Sequence, residues 1–160
     1  MNKSIYIKYV FYFFLFFSIF TLDRISKIYI LNIANNEELN IYINEFLNII
    51  LIWNTGIGFG LLSFSDNFLY NAITFIILLI NFILIYLAVA SNSIKRIFYI
   101  VILGGSFGNL FDRFYYSAVP DFIDINFNGY HWFVFNVADI FISIGITCLI
   151  FMEILDYKKT

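Results

Sequence analysis

The chain has 160 residues, of which 62% are hydrophobic, 12% are charged and one is a proline. These proportions exclude a disordered segment and an ordinary water-soluble domain, and they place the chain in a bilayer. A formal charge of -2 without a basic run argues against a nucleic-acid partner, and a single cysteine, Cys148, excludes an internal disulfide or a cysteine-rich metal site.

The first apolar run follows Lys3 and Lys8 as a secretory signal would, but no small-residue cleavage site comes after it. It continues instead through Asp23 and Lys27, which predicts a retained spanning helix over residues 5–31, roughly 40 Å long at 1.5 Å per residue. Asp23 and Lys27 stand one helical turn apart at its far end, as a supporting pair or a plain snorkelling ion pair. Residues 45–60 then combine β-favouring apolar side chains with glycine punctuation, too short to span as a helix and too apolar for bulk water. They predict a small extracytoplasmic β-structure on the membrane surface, within residues 35–62.

Three further spans are expected over residues 68–90, 97–114 and 134–155, giving one membrane-embedded domain over residues 1–160. An even number of spans puts both termini on one side. Lys3, Lys8, Lys95, Arg96, Lys158 and Lys159 all fall there, so that side is read as cytoplasmic. In the third span Asn109, Asp112 and Arg113 share a face with Gly105, and Gly104 with Gly108 invites a close helix neighbour. A packing seam closed by an interfacial Asp–Arg pair is the plain alternative for that face.

Asp121 follows Pro120 in a stretch read as a loop folding back over the membrane, whereas Asp124 reads as a solvated loop acid. In the fourth span Asn136, Asp139 and Ser143 share a face; a lone Asp139 would read as a helix-end acid favoured by the dipole. Two acids held near lipid need a reason, and the strongest is a dyad, Asp121 with Asp139, in which one carboxylate acts as base while the other keeps a proton. His131 and Trp132 read as interfacial anchors, and the lack of a second histidine excludes a zinc peptidase and leaves no metal expected. The alternative from another class is a small proton- or ion-conducting membrane protein. A relay needs ionisable residues through the bilayer, and the middles of all four spans have none.

Five motifs occur in order along the chain: LDRISK with Asp23 and Lys27, NTGIGFG with Asn54 and Gly56, GGSFGNLFDR with Gly105, Asn109, Asp112 and Arg113, VPDFID with Asp121, and FNVADIFISIG with Asn136 and Asp139. Through them the chain resembles the lipoprotein signal peptidases (signal peptidase II) over nearly its whole length. The resemblance implies an all-α membrane fold of four transmembrane helices with an extracytoplasmic β-cradle between helices 1 and 2, in the bacterial inner membrane. It implies Asp121 and Asp139 as the catalytic dyad of an aspartic endopeptidase without a cofactor, and Asn54, Gly56, Asn109, Arg113 and Asn136 along the substrate cleft. Asp23, Lys27, Gly105 and Asp112 would support them. Substrates would be prolipoproteins carrying a diacylglyceryl group on cysteine, cut before that cysteine by a monomer among membrane lipids with its site facing outward. The chain departs from the family pattern at Arg24, Ile57, Gly58, Ser117 and Pro120, none of which removes a catalytic group.

Overall fold

In the computed structural model of the chain, the described residues are 3–35, 39–56, 67–91, 93–127 and 130–157. Lys158, Lys159, Ile57 to Gly60 and the remainder of the expected 35–62 cradle beyond residue 56 lie outside them, as do residues 36–38. Four long helices dominate: α1 (Lys3–Ala34), α2 (Asn67–Ala90), α3 (Ser93–Tyr116) and α4 (Val137–Tyr157). Each is long and apolar enough to cross a membrane. The 24 residues of α3 rise about 36 Å, more than a hydrocarbon core of about 30 Å.

Burial is inverted relative to a water-soluble protein. Phe13, Phe14, Phe75, Phe82 and Phe151 are exposed on the helices, while Asp23, Lys27, Asp112 and Asn136 are fully buried. An apolar exterior around a polar interior is what lipid as solvent selects.

The third helix is the hub, packing against α1, α2 and α4. Glycines permit the close approaches. A Cβ at Gly104 would stand 2.8 Å from Ile19 Cβ, and one at Gly105 would stand 2.5 Å from the carbonyl oxygen of Ala138. Gly108 faces the Asp23 carboxylate, where any side chain would displace it. The small-residue pair expected on α3 therefore serves α1, and the intervening Gly105 serves α4.

Both long connections on the site side contribute strands. The first gives β1 (Asn40–Asn44) and β2 (Leu47–Asn54), and the second gives β3 (Val119–Phe127) and β4 (Tyr130–Phe135). They form one antiparallel sheet in the order β1-β2-β3-β4. The stretch around Asp121 is thus an inner strand rather than an irregular loop, and Val134 belongs to β4, so the fourth helix begins three residues later than its apolar run suggests. The register between β2 and β3 slips between Ile49 and Ile52, leaving Ile52 opposite Asp121 and Asn54 opposite Val119. A bulge of this kind re-aims side chains on both strands, here at the point where β3 leaves α3.

Candidate active site

Asp121 comes from β3 and Asp139 from the first turn of α4, and both line one cavity of about 230 Å³ together with Asn54, Asn109, Arg113 and Asn136. Asn136 makes the connection. It precedes α4 as its N-cap: its Oδ1 accepts the Asp139 backbone N–H at 3.1 Å, and its own backbone N–H donates to Asp139 Oδ2 at 3.1 Å. This reciprocal capping box fixes the Asp139 carboxylate relative to the helix end. The Asn136 Nδ2 is left to donate to Asp121 Oδ1 at 2.6 Å. One amide therefore ties the strand aspartate to the helix aspartate.

Two more asparagines complete the donor set. Asn54 Nδ2 donates to Asp121 Oδ2 at 2.9 Å, and Asn109 Nδ2 donates to Asp139 Oδ1 at 2.8 Å. An amide can flip, so its polarity has to be set from elsewhere. In each case a second donor occupies the amide oxygen: the Gly56 N–H for Asn54 at 2.8 Å, the Lys27 ammonium for Asn109 at 2.8 Å, and the Asp139 N–H for Asn136. With their oxygens occupied, all three can present only N–H groups to the carboxylates.

Behind Asn109 lies a buried, electroneutral cluster of two cations and two anions. Lys27 Nζ reaches Asp23 Oδ2 at 2.9 Å and Asp112 Oδ2 at 2.6 Å, while Arg24 bridges Asp23 at 3.2 Å and Asp112 at 2.6 Å. The remaining Asp23 oxygen accepts the Ala138 N–H at 3.0 Å, one of the donors that a helix end leaves unpaired. Asp23 on α1 thus fixes the start of α4 beside Asp139. Arg24 also lies over the Phe111 ring at 4.9 Å.

Arg113 faces elsewhere. Its Nη2 donates to the Gly56 carbonyl, so it holds the turn that orients Asn54, and its guanidinium lies over the Tyr70 ring at 5.5 Å. Consecutive helical residues point about 100° apart, which is why Asp112 enters the α1 cluster while Arg113 turns toward α2.

Burial, and then the charge of Asp139, push the Asp121 carboxyl up to about 7, against the hydrogen bonds from Asn54 and Asn136 that favour its ionised form. A carboxyl titrating near neutrality beside a second carboxyl is suited to holding a proton that the pair shares.

The structure brings Asp121, Asp139, Asn54, Asn109, Arg113 and Asn136 to one cavity, with Gly56, Asp23, Lys27, Gly105 and Asp112 directly behind. Three readings change. Asp23 and Lys27 do not snorkel; both are fully buried. Asp112 pairs with Arg24 and Lys27 rather than with its neighbour Arg113. Asp124 is not solvated: it is fully buried, accepting from Asn48 at 3.2 Å and pairing with His131 at 2.7 Å. The sequence reading did not name Arg24 as a cluster member; its signal was its place beside Asp23 at the end of the molecule opposite most of the basic residues. It also missed Ser106 and Ile142, which line the cavity and carry no mark beyond helical spacing from Asn109 and Asp139.

The family model described as signal peptidase (SPase) II matches residues 15–155. A lipoprotein signal peptidase of Pelagibacter ubique is 53% identical over 140 residues, covering 86% of this chain and 84% of that protein. One of Anaplasma phagocytophilum is 38% identical over 136 residues, covering 82% and 84%. Among solved structures, a bacterial membrane enzyme determined by the in meso method at 2.3 Å superposes with a TM-score of 0.71 at 29% identity, covering 91% of this chain and 87% of that one. With a family match that reaches into all four helices and takes in every described residue lining the cavity, the chain belongs to the signal peptidase II family.

Proposed function

We propose that the chain is an aspartic endopeptidase, a single membrane-embedded domain over residues 1–160, that removes signal peptides from diacylglyceryl-modified prolipoproteins by cutting before the lipidated cysteine. Asp121 and Asp139 are its catalytic dyad. The observation that carries the reading is that these two carboxylates line one cavity and that, among the described residues, every side-chain donor to them is an asparagine of fixed polarity.

In the proposed cycle the dyad holds one proton, consistent with Asp121 titrating near 7. The ionised carboxylate takes a proton from water, whose oxygen attacks the scissile carbonyl carbon. The protonated carboxyl gives its proton to the carbonyl oxygen, forming a gem-diol. The C–N bond then breaks as one carboxyl gives its proton to the amine nitrogen and the other carboxylate takes the proton of a gem-diol hydroxyl, which re-forms the C=O of the new carboxyl end and leaves the dyad singly protonated. No acyl-enzyme forms, so Cys148 has no part. Asn54, Gly56, Asn109, Arg113 and Asn136 form the substrate cleft.

The α2 side of the cavity is Ile77 and Ile80 and the α4 side is Ile142 and Ser143. The two helices pack on α3 rather than extensively on each other, which favours entry of a lipidated substrate sideways from the bilayer. The chain acts as a monomer in the bacterial inner membrane, termini in the cytoplasm and cavity facing outward, without nucleic acid or cofactor. The ion-conducting alternative is not supported: the ionisable side chains between α1 and α3 form a closed, mutually paired cluster at one end of the helices rather than a path.

The test is cleavage of a diacylglyceryl-modified prolipoprotein by purified protein, read by mass of the released peptide. Asp121→Asn and Asp139→Asn are each expected to insert in the membrane and to cleave nothing measurable. Turnover by either variant at a substantial fraction of the unsubstituted rate rejects the dyad.

A further inference from the structure

A second cavity, about 360 Å³, lies between α2 and α3 at the end that carries the sheet, lined by Tyr70, Asn71, Thr74, Phe75, Arg113 and Ser117 among others. Arg113 lines it as well as the aspartate cavity. Arg113 is 5% exposed; its Nη2 donates to the Gly56 carbonyl and its guanidinium lies over the Tyr70 ring, while Nε and Nη1 are buried and have no hydrogen-bond partner among the described residues. Among the described residues, no carboxylate lines this second cavity. The four aspartate oxygens on the other side are already engaged by asparagine and backbone donors.

A buried guanidinium with idle donors is costly unless an anion or a set of acceptors meets it. We propose that this cavity binds the phosphate group of a membrane phospholipid, with Arg113 as the cation and Asn71 and Ser117 as rim donors.

The depth fits. Arg113 stands three residues before the end of α3 at Tyr116, about 5 Å inside it at 1.5 Å per residue, which puts it at the edge of the hydrocarbon core with a side chain long enough to reach a lipid headgroup. The walls fit a lipid better than a soluble ion. Phe75 and Phe114 are exposed beside the cavity, on the surfaces of two membrane-spanning helices, where acyl chains would lie against them. Guanidinium is also the side chain best matched to phosphate oxygens. The site is distinct from the cleavage reading, since it lies against α2 on the far side of Arg113 from the dyad.

The experiment counts phospholipid retained by the purified full chain in mild detergent, by native mass spectrometry, for the unsubstituted protein, Asn71→Gln and Asn71→Glu. Asn71 is exposed and lies outside the aspartate cavity, so all three are expected to cleave prolipoprotein, which verifies folding. The unsubstituted protein and Asn71→Gln should each retain one phospholipid. Asn71→Glu offers Arg113 an internal carboxylate and should lower retention roughly tenfold or more, the worth of one charge-assisted hydrogen bond. Ser117→Asp, at a residue with φ 56° that aspartate tolerates, should do the same. Equal retention across all variants overturns the proposal. So does protection of delipidated protein by inorganic phosphate as strong as that by phospholipid micelles, because the ligand is then the soluble ion.

Discussion

Replacing Lys27 by methionine separates holding the fold from aiming the dyad. The ammonium is fully buried and has three acceptors, Asp23 at 2.9 Å, Asn109 at 2.8 Å and Asp112 at 2.6 Å. Methionine fills a similar volume but leaves two aspartates against one remaining cation, Arg24. Breaking a buried pair from one side costs about 3–5 kcal/mol, so Lys27→Met should unfold at a markedly lower temperature in detergent. The second effect is local: Asn109 loses the donor that fixes its oxygen, and its N–H is no longer held on Asp139. A hydrogen bond to a charged group is worth roughly 1.5–3 kcal/mol, so kcat should fall by about ten- to a hundredfold with KM little changed.

Lys27→Met with Asp112→Asn tells the two effects apart. The double variant leaves Asp23 and Arg24 as a neutral pair, and much of the lost stability should return. Asn109 stays unanchored, so kcat should stay low. Steady-state cleavage of a lipidated prolipoprotein and thermal unfolding, measured on the same preparations, provide the two readouts. A kcat for Lys27→Met within about twofold of the unsubstituted protein, or a kcat that recovers together with stability in the double variant, refutes the positioning argument.

The remaining predictions concern the cap, the shared proton and the helix seam. Asn136→Ser keeps a good N-cap for α4 but loses the Nδ2 bond to Asp121, so unfolding temperature should hardly move while kcat falls roughly tenfold or more; Asn136→Ala should add a loss of about 1 kcal/mol in stability. The Asp121 carboxyl is raised to about 7 in the folded chain from an ordinary 3.8, so between those values the folded state binds the proton and the unfolded state does not. Stability should therefore fall as pH rises through that window, Asp121→Asn should flatten the fall, and the pH profile of cleavage should decline above about 7. Gly105→Ala would place a methyl 2.5 Å from the Ala138 carbonyl oxygen and 3.0 Å from Ile142; separating α3 from α4 should cost about 1–3 kcal/mol and lower kcat, because Ala138 adjoins Asp139.

The four spans are legible in hydropathy alone, because lipid demands an unbroken apolar run and α2, α3 and α4 each supply one. Strands β1 and β2 are legible too, as branched residues between polar breaks. The second hairpin is not. β3 has Pro120, Asp121, Phe122 and Asp124 all buried, so it carries polar groups on a protected face and lacks the apolar-polar alternation that marks a half-solvated strand. β4 runs into α4 through apolar residues, and the join is marked by Asn136, whose role as N-cap three residues before Asp139 the structure shows. Asp124 misled for the same reason. Its partners, Asn48 and His131, arrive from flanking strands whose register no local pattern specifies.

The way the cations are arranged explains why so much asparagine surrounds the dyad. Among the described residues, hydrogen bonds link Lys27 to Asp139 through Asn109 and Arg113 to Asp121 through the Gly56 turn and Asn54. A lysine or arginine in direct contact would stabilise ionised carboxylates strongly and remove the proton that the proposed cycle needs the pair to share. An amide beside the carboxylate supplies orientation without a unit charge, since its N–H points where the donor on its oxygen dictates: the Lys27 ammonium for Asn109 and the Gly56 N–H for Asn54. The carboxylates are thereby aimed without direct contact to a cation, and Asp121 is left to titrate at about 7. Asn109→Asp should accordingly be worse than Asn109→Ala: a third carboxylate would take Lys27 for itself and face Asp139 without a donor. Finding the aspartate variant the more active of the two would contradict this account of why amides stand there.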